Sequence, residues 1–176
     1  GSGDVAVNRA GKSLRQQARH LEQNHDLARG ALNTLVQNTV GHTGIQIEPQ
    51  PRFDNGRINS EFARQIRREF GEWAKKPEVT AEFSFASAQR MLARSGFRDG
   101  EVFTQDLVGR VPKLTHNSAV PYSFEMIEAD FCPFELLEQG PPMIINGVEK
   151  NEWNRPVGFY FYKKHPNHVL HGVSMQ

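Results

Sequence analysis

Cysteine occurs once in this chain, at Cys132, so no disulfide can close within it and nothing points to an oxidising compartment. Long apolar runs are missing too: none approaches the ~20 residues needed to cross a bilayer as a helix. The first residues are small and mixed in polarity, unlike the basic segment and apolar block of a secretory leader. No Gly-x-Ser-x-Gly elbow and no Gly-rich phosphate loop ending in Lys-Ser/Thr occurs, which removes the common nucleophile and nucleotide motifs. Neither Glu-x-Lys nor Asp-x-Lys is found, so a strand-borne acid lacks the nearby lysine that steadies charge in many nucleases. Charge of one sign is also scarce, with 21 Lys+Arg against 20 Asp+Glu. The expectation is a soluble, ordered, intracellular-type chain with no visible catalytic machinery.

What remains is a sequence able to build a core. Twelve Phe, three Tyr and two Trp among 176 residues argue for order, and the length suits one domain. Charge is unevenly spread: residues 1–76 hold twelve basic against eight acidic residues, and residues 77–176 hold nine against twelve. A surplus of four over the first segment is ordinary for solvated helices and falls short of a polyanion-binding face. Gly1-Ser2-Gly3 reads as a cloning remnant, and residues 1–13 as a tag remnant or flexible N-terminus.

From residue 14 the apolar period is helical. Leu14, Ala18 and Leu21 share one face of a short helix. Leu27, Ala31 and Leu35, beside Ala28, Leu32, Val36 and Val40, form a broad stripe. Asn24 or Asp26 can cap its start, and Gly41 and Gly44 can end it by reaching positive φ. Ile45 and Ile47 then suggest a short strand before Pro49 and Pro51. Asn59-Ser60 opens another helix, with Phe62, Ile66, Phe70 and Trp73 on one face and Pro77 beyond its end. A further helix covers about 85–97, its inward residues Phe85, Ala88, Met91, Leu92 and Ser95, and stops at Asp99-Gly100.

After Gly100 the period shortens to that of strands. Residues 102–108, 122–127, 143–148 and 157–163 read as strands, the last two joined as a hairpin, with loops over 109–121 and 133–142. The final strand carries aromatics on both faces, which places it centrally, covered on two sides. Helices first and antiparallel strands after give an α+β fold: amphipathic helices over about 14–99 packed on an antiparallel sheet from about 100–176.

Several constellations admit a chemical reading. His165, His168 and His171 have a chelating look, but three-residue spacing converges only on a helix, which Pro166 disfavours; a loop and a strand end account for them. Asp99, Glu101 and Asp106, or Glu125, Glu128 and Asp130, could hold magnesium for phosphodiester chemistry, although turn and strand-end roles suffice. Cys132, between Phe131 and Pro133, reads as buried and inert. Gly41-x-x-Gly44 resembles a phosphate clamp, yet a helix exit explains both glycines. Arg64, Arg67 and Arg68 share one helix and are the local candidates for non-specific DNA or phosphate contact, against the plain reading of a solvated face.

A resemblance spans about residues 14–171. Ala18-Arg19-His20-Leu21, Asn24, Ala28-Arg29-Gly30-Ala31 and Asn38-Thr39-Val40-Gly41-His42-Thr43-Gly44-Ile45 resemble the opening of lambda-type tailed-phage portal proteins. Trp73-Ala74, Asp99-Gly100-Glu101-Val102-Phe103 and Ile127-Glu128-Ala129-Asp130 follow in the family's order, with Ala129 in place of the usual Pro. The strongest block is Ile145-Asn146-Gly147-Val148-Glu149, then Glu152-Trp153-Asn154-Arg155-Pro156-Val157-Gly158-Phe159-Tyr160, then His165-Pro166. It is similar to the family's Gly-(Ile/Val)-Glu, Gly-Arg-Pro-Val-x-Tyr and His-Pro run, with Asn154 where Gly is usual. Val169-Leu170-His171 resembles a strand beyond a variable loop, which makes the histidine spacing an accident of a short loop.

The resemblance implies a structural, non-enzymatic part without a cofactor. Portal proteins form a dodecameric ring at one vertex of the procapsid, through which terminase packs double-stranded DNA; the same ring holds head–tail connector proteins and lets DNA leave. It implies capsid and scaffold proteins as partners, contact with DNA that is not sequence-specific, no membrane, and a place in the virion after assembly in the host cytoplasm. The chain resembles the wing-like α+β region, with stem, clip, tunnel loop and crown expected beyond residue 176 and a monomeric state expected for this piece alone. The alternative class is a metal-dependent nucleic-acid-processing or DNA-binding accessory domain of the same machinery.

Overall fold

A computed structural model describes residues 3–164 and residue 166. The expected histidine cluster (His165, His168, His171) and the strand at Val169-Leu170-His171 lie outside the described residues. The fold is α+β, with four helices preceding five strands among the described residues. Two compact units are present, one built from residues 1–21 with 128–176, the other from residues 22–127. In place of one sheet there are two small antiparallel ones, of two and three strands.

The unit of residues 22–127 contains α2 (Asp26–Thr39), α3 (Ser60–Trp73), α4 (Phe85–Asp99), β1 (Phe103–Val108) and β2 (Tyr122–Ile127). Helix α2 buries Leu32 and Val36, and Val40 at its C-cap is buried too. The other half of its expected stripe is in solvent: Leu27 is 91% exposed and Leu35 half exposed. Its cap position is taken by His25, which makes no side-chain cap bond, rather than by Asn24 or Asp26; Asp26 lies in the first turn, where its charge suits the helix dipole.

Gly41 and Gly44 both take positive φ, at 76° and 77°. At Gly44 a Cβ would lie 2.9 Å from Ala86 Cα, so the position needs glycine for space as well as for conformation. The strand expected at Ile45 and Ile47 does not form. Instead the Ile45 N–H donates to Gln89 Oε1 at 2.7 Å, so the α4 side chain satisfies a group that a ladder would otherwise have to pair.

Helix α3 starts where Asn59 Oδ1 accepts the Phe62 N–H at 3.0 Å. At its other end Trp73 enters the core with Ala88 of α4 and Phe124 of β2, flanked by Phe70, Phe85 and Tyr122. Its ring lies 4.9 Å from Phe85 and stacks on Tyr122 at 5.6 Å, while its indole N–H donates to the Tyr122 carbonyl at 2.9 Å. Buried Pro77 leads the chain along β2: Phe124 N–H donates to the Pro77 carbonyl, and Val79 N–H to that of Phe124. The loop after β1 closes as Gly109 N–H meets the Pro121 carbonyl at 2.7 Å. His116 seals the loop base, with Nε2 2.6 Å from the Gly109 carbonyl and Nδ1 2.8 Å from Ser123 Oγ.

The other unit contains most of α1 (Gly3–Asn24), a 3-10 turn (Ala129–Phe131), β3 (Met143–Ile145), β4 (Val148–Lys150) and β5 (Pro156–Phe159). Helix α1 begins at Gly3, upstream of the stripe that starts at Leu14. The stripe expected on one face of a helix lies largely in solvent: Leu14 is 60% exposed and Leu21 about half exposed, as is Val7 upstream of it. The packed face is polar. Asn8 donates to the Phe134 carbonyl at 2.6 Å and to Asn146 Oδ1 at 3.0 Å. Gly11 admits the Phe134 ring, over which the Arg15 guanidinium lies at 4.7 Å.

The stretch 143–148, expected as one strand, is a hairpin. Asn146 and Gly147 both take positive φ, the geometry of a two-residue turn between paired strands, so β3 and β4 fold back on each other. Strand β5 is not central. Strand β4 lies between β3 and β5, and Val157 and Phe159 are each at least half exposed, so the aromatic run was not a signal of two-sided cover.

Candidate functional site

Two surfaces and two ionic clasps hold the features able to recognise another molecule. Helix α3 has sharply different faces because residues three and four apart share a side. Its apolar face is only partly covered. Together with Ile47, Val120 and Tyr122, the side chains of Phe62, Ile66 and Phe70 line an open groove of about 430 Å³, with Gln65 and Glu69 also at its wall.

The expected DNA-contact residues Arg64, Arg67 and Arg68 are all exposed on α3, three and four residues apart. Arg67 binds Glu48 at 2.7 Å and Arg68 binds Glu69 at 3.2 Å. Arg64 has no carboxylate partner among the described residues. The helix brings the three together, yet two of them are partly neutralised in place.

In the unit of residues 22–127, Glu22 accepts from Arg94 at 2.5 Å and from Arg98 at 3.0 Å, and Arg98 also grips Asp99 at 2.8 Å. Burial alone would raise the Glu22 pKa; the bonds and charges of Arg98 and Arg94 outweigh it and hold the carboxyl below its ordinary range. The Arg98 pKa is raised, chiefly by its bond to Asp99. In the other unit Asp130 accepts from Arg15 at 2.8 Å and from Arg19 at 2.5 Å. Burial again opposes the carboxylate, and the two guanidiniums still lower its pKa. Tyr162 donates to Glu135, and this bond comes first among the causes that depress the Glu135 pKa.

These clasps account for much of the acidic set that sequence reasoning weighed as a metal site. Asp99 and Asp130 are held by arginines, and Asp106 accepts the Tyr122 hydroxyl at 2.8 Å. Burial and that bond push the Tyr122 phenol up to about 12. Glu125 faces Gln105 across the ladder. Among the described residues no group of His, Cys, Asp and Glu is placed to hold a metal ion. Cys132 is buried, its thiol 3.6 Å from the Asn146 carbonyl. The carbonyls of Gly41 and His42 accept from Arg90, which leaves the glycine pair a helix exit.

The hairpin connection expected before Val157 is the β4–β5 turn, and the feature that sequence reasoning did not single out there is the outward Trp153. Asn151 Oδ1 accepts the N–H of Trp153 at 2.9 Å and of Arg155 at 3.0 Å, and Asn154 takes positive φ. This Asx turn holds Trp153 outward, 87% exposed. A signal was available: a tryptophan between Asn151 and Asn154 sits at a turn and cannot join a strand face.

The family model described as phage portal protein, lambda family, matches residues 1–176. A probable portal protein of Halomonas phage phiHAP-1 is 27% identical over 171 residues, covering 94% of this chain and 32% of the relative. The chain therefore spans about a third of the length of that curated relative. By the match across its whole length, the chain belongs to the lambda family of phage portal proteins.

Proposed function

We propose that this chain is the wing-like α+β module of a portal subunit, comprising residues 14–176. In this reading the natural product forms a dodecameric ring at one procapsid vertex. Terminase packs double-stranded DNA through that ring, head–tail connectors bind it, and DNA leaves by it at ejection. Its setting is the virion head after assembly in the host cytoplasm, with capsid and scaffold proteins as neighbours. The module's own part is structural: it supplies surfaces, and this piece alone is a monomer. The observation that carries the reading is the family match over residues 1–176, supported by the portal-named relative.

Any duplex contact made by this module is with phosphates and falls to Arg64, Arg67 and Arg68, exposed together on α3. Replacing all three by alanine should weaken duplex binding equally across sequences and flatten its salt dependence; unchanged binding and salt slope would remove these residues from any DNA role. The assembly itself is tested by negative-stain imaging of the natural product beside the 176-residue chain. Rings with a central channel from the first and small single particles from the second are expected. Compact monomers or dimers from the natural product would refute the reading.

A further inference from the structure

Within each copy, Trp153 projects from the β4–β5 turn while the α3 groove stands open, and the two have complementary chemistry. The groove offers an apolar floor of about 430 Å³, roomy for one aromatic side chain, with acceptors at Gln65 and Glu69 along its wall. Trp153 offers a large apolar ring whose indole N–H meets no acceptor among the described residues. Two residues on, exposed Arg155 has no carboxylate partner among the described residues and is opposite in charge to Glu69, which the exposed Arg68 engages at 3.2 Å within its own copy. Trp and Arg are the residue types that most often dominate interface energy when set in a desolvated pocket. The turn is already fixed by the Asn151 bonds, so seating the ring costs little further ordering. A projection on one copy seated in a groove on the next forms a head-to-tail contact, the kind that can close a ring.

We propose that Trp153 of one copy seats in the α3 groove of the neighbouring copy, with its indole N–H and Arg155 directed at Gln65 and Glu69. The proposal rests on the ring assembly above and commits to a second copy of this chain as the occupant.

The test uses the natural product that carries these residues, with Glu152→Cys beside the projecting ring and Glu61→Cys beside the groove combined in one chain and bridged by a short bis-maleimide. Native Cys132 is buried, and each single variant serves as its control. A ladder of linked subunits that needs both cysteines is expected. Trp153→Ala should also raise the concentration needed for ring formation about tenfold or more, with Trp153→Phe recovering part of the loss. Rings without a ladder, or rings indifferent to Trp153→Ala, would overturn this contact and leave the portal reading standing. Linkage only within single chains would overturn it as well. Absence of rings from the unmodified product would overturn the portal reading and, with it, this contact.

Discussion

At the residue scale, Asp130 has the most to lose. It faces two guanidiniums, and Arg15 is only 5% exposed, so truncating the carboxylate takes a counter-charge away from a buried cation. Asp130→Ala should cost about 3–5 kcal/mol, measured by urea unfolding. The same chemistry sets the acid limb of stability. The folded pKa values of Asp130 and Glu22 are lowered, so both clasps contribute fully above the ordinary carboxylate values of about 3.9 and 4.3. Their contribution is lost as pH falls from there through the lower folded values. Unfolding free energy should therefore drop steeply below about pH 4, and less steeply in Asp130→Ala. Tyr122 works in the opposite sense. Its phenol is raised to about 12, so its contribution holds below the unfolded value of about 10 and fades between the two. Bonds to Glu149 and Glu135 raise the Tyr160 and Tyr162 phenols as well, so in a spectroscopic titration Tyr122→Phe should remove one of several late-ionising steps.

At the scale of elements, the rotation of α1 and α2 is the part that periodicity could not supply. The stripe at Leu27, Ala31 and Leu35 and the stripe at Ala28, Leu32 and Val36 are equally regular. Which is buried depends on where α4 lies, and Arg94 bonding to Asn33 helps fix that. Leu27→Lys should accordingly change stability by less than about 0.5 kcal/mol, whereas Leu32→Ala should cost about 2–5 kcal/mol; equal costs would mean the helix is turned otherwise. In α1 the pattern misled outright, because ion pairs and a ring–guanidinium contact anchor its polar side and no apolar period announces such a face. Elements whose ends carry their own chemistry were legible. Asn59 before α3 and left-handed Gly100 after α4 marked boundaries in the sequence that the fold keeps, whereas the Ser84 cap of α4 is seen only in the fold. The strand at Ile45 was not, since its pairing group turned out to be the Gln89 side chain, 44 residues away. Gly44→Ala should lower the melting temperature through both strain and the contact with Ala86.

At the scale of the whole molecule, the ordered series of short motifs carried the family, and the family match confirms it over residues 1–176. The arginines of α3 could be placed on one helix from spacing alone. The groove on the same helix could not, because an amphipathic face reads alike whether a core or a neighbour covers it. Trp153 was hidden for the converse reason: an aromatic residue beside strands reads as core until its turn is seen to hold it in solvent. In the proposed assembly these residues form a peripheral module of a ring. A cryo-electron-microscopy reconstruction of the natural product tests it most directly. The account predicts a ring whose outer wall contains the α1–α4 and β1–β5 fold, with each Trp153 against the α3 groove of the next subunit. A ring whose channel is lined by these residues, or a product that forms no ring, would contradict it.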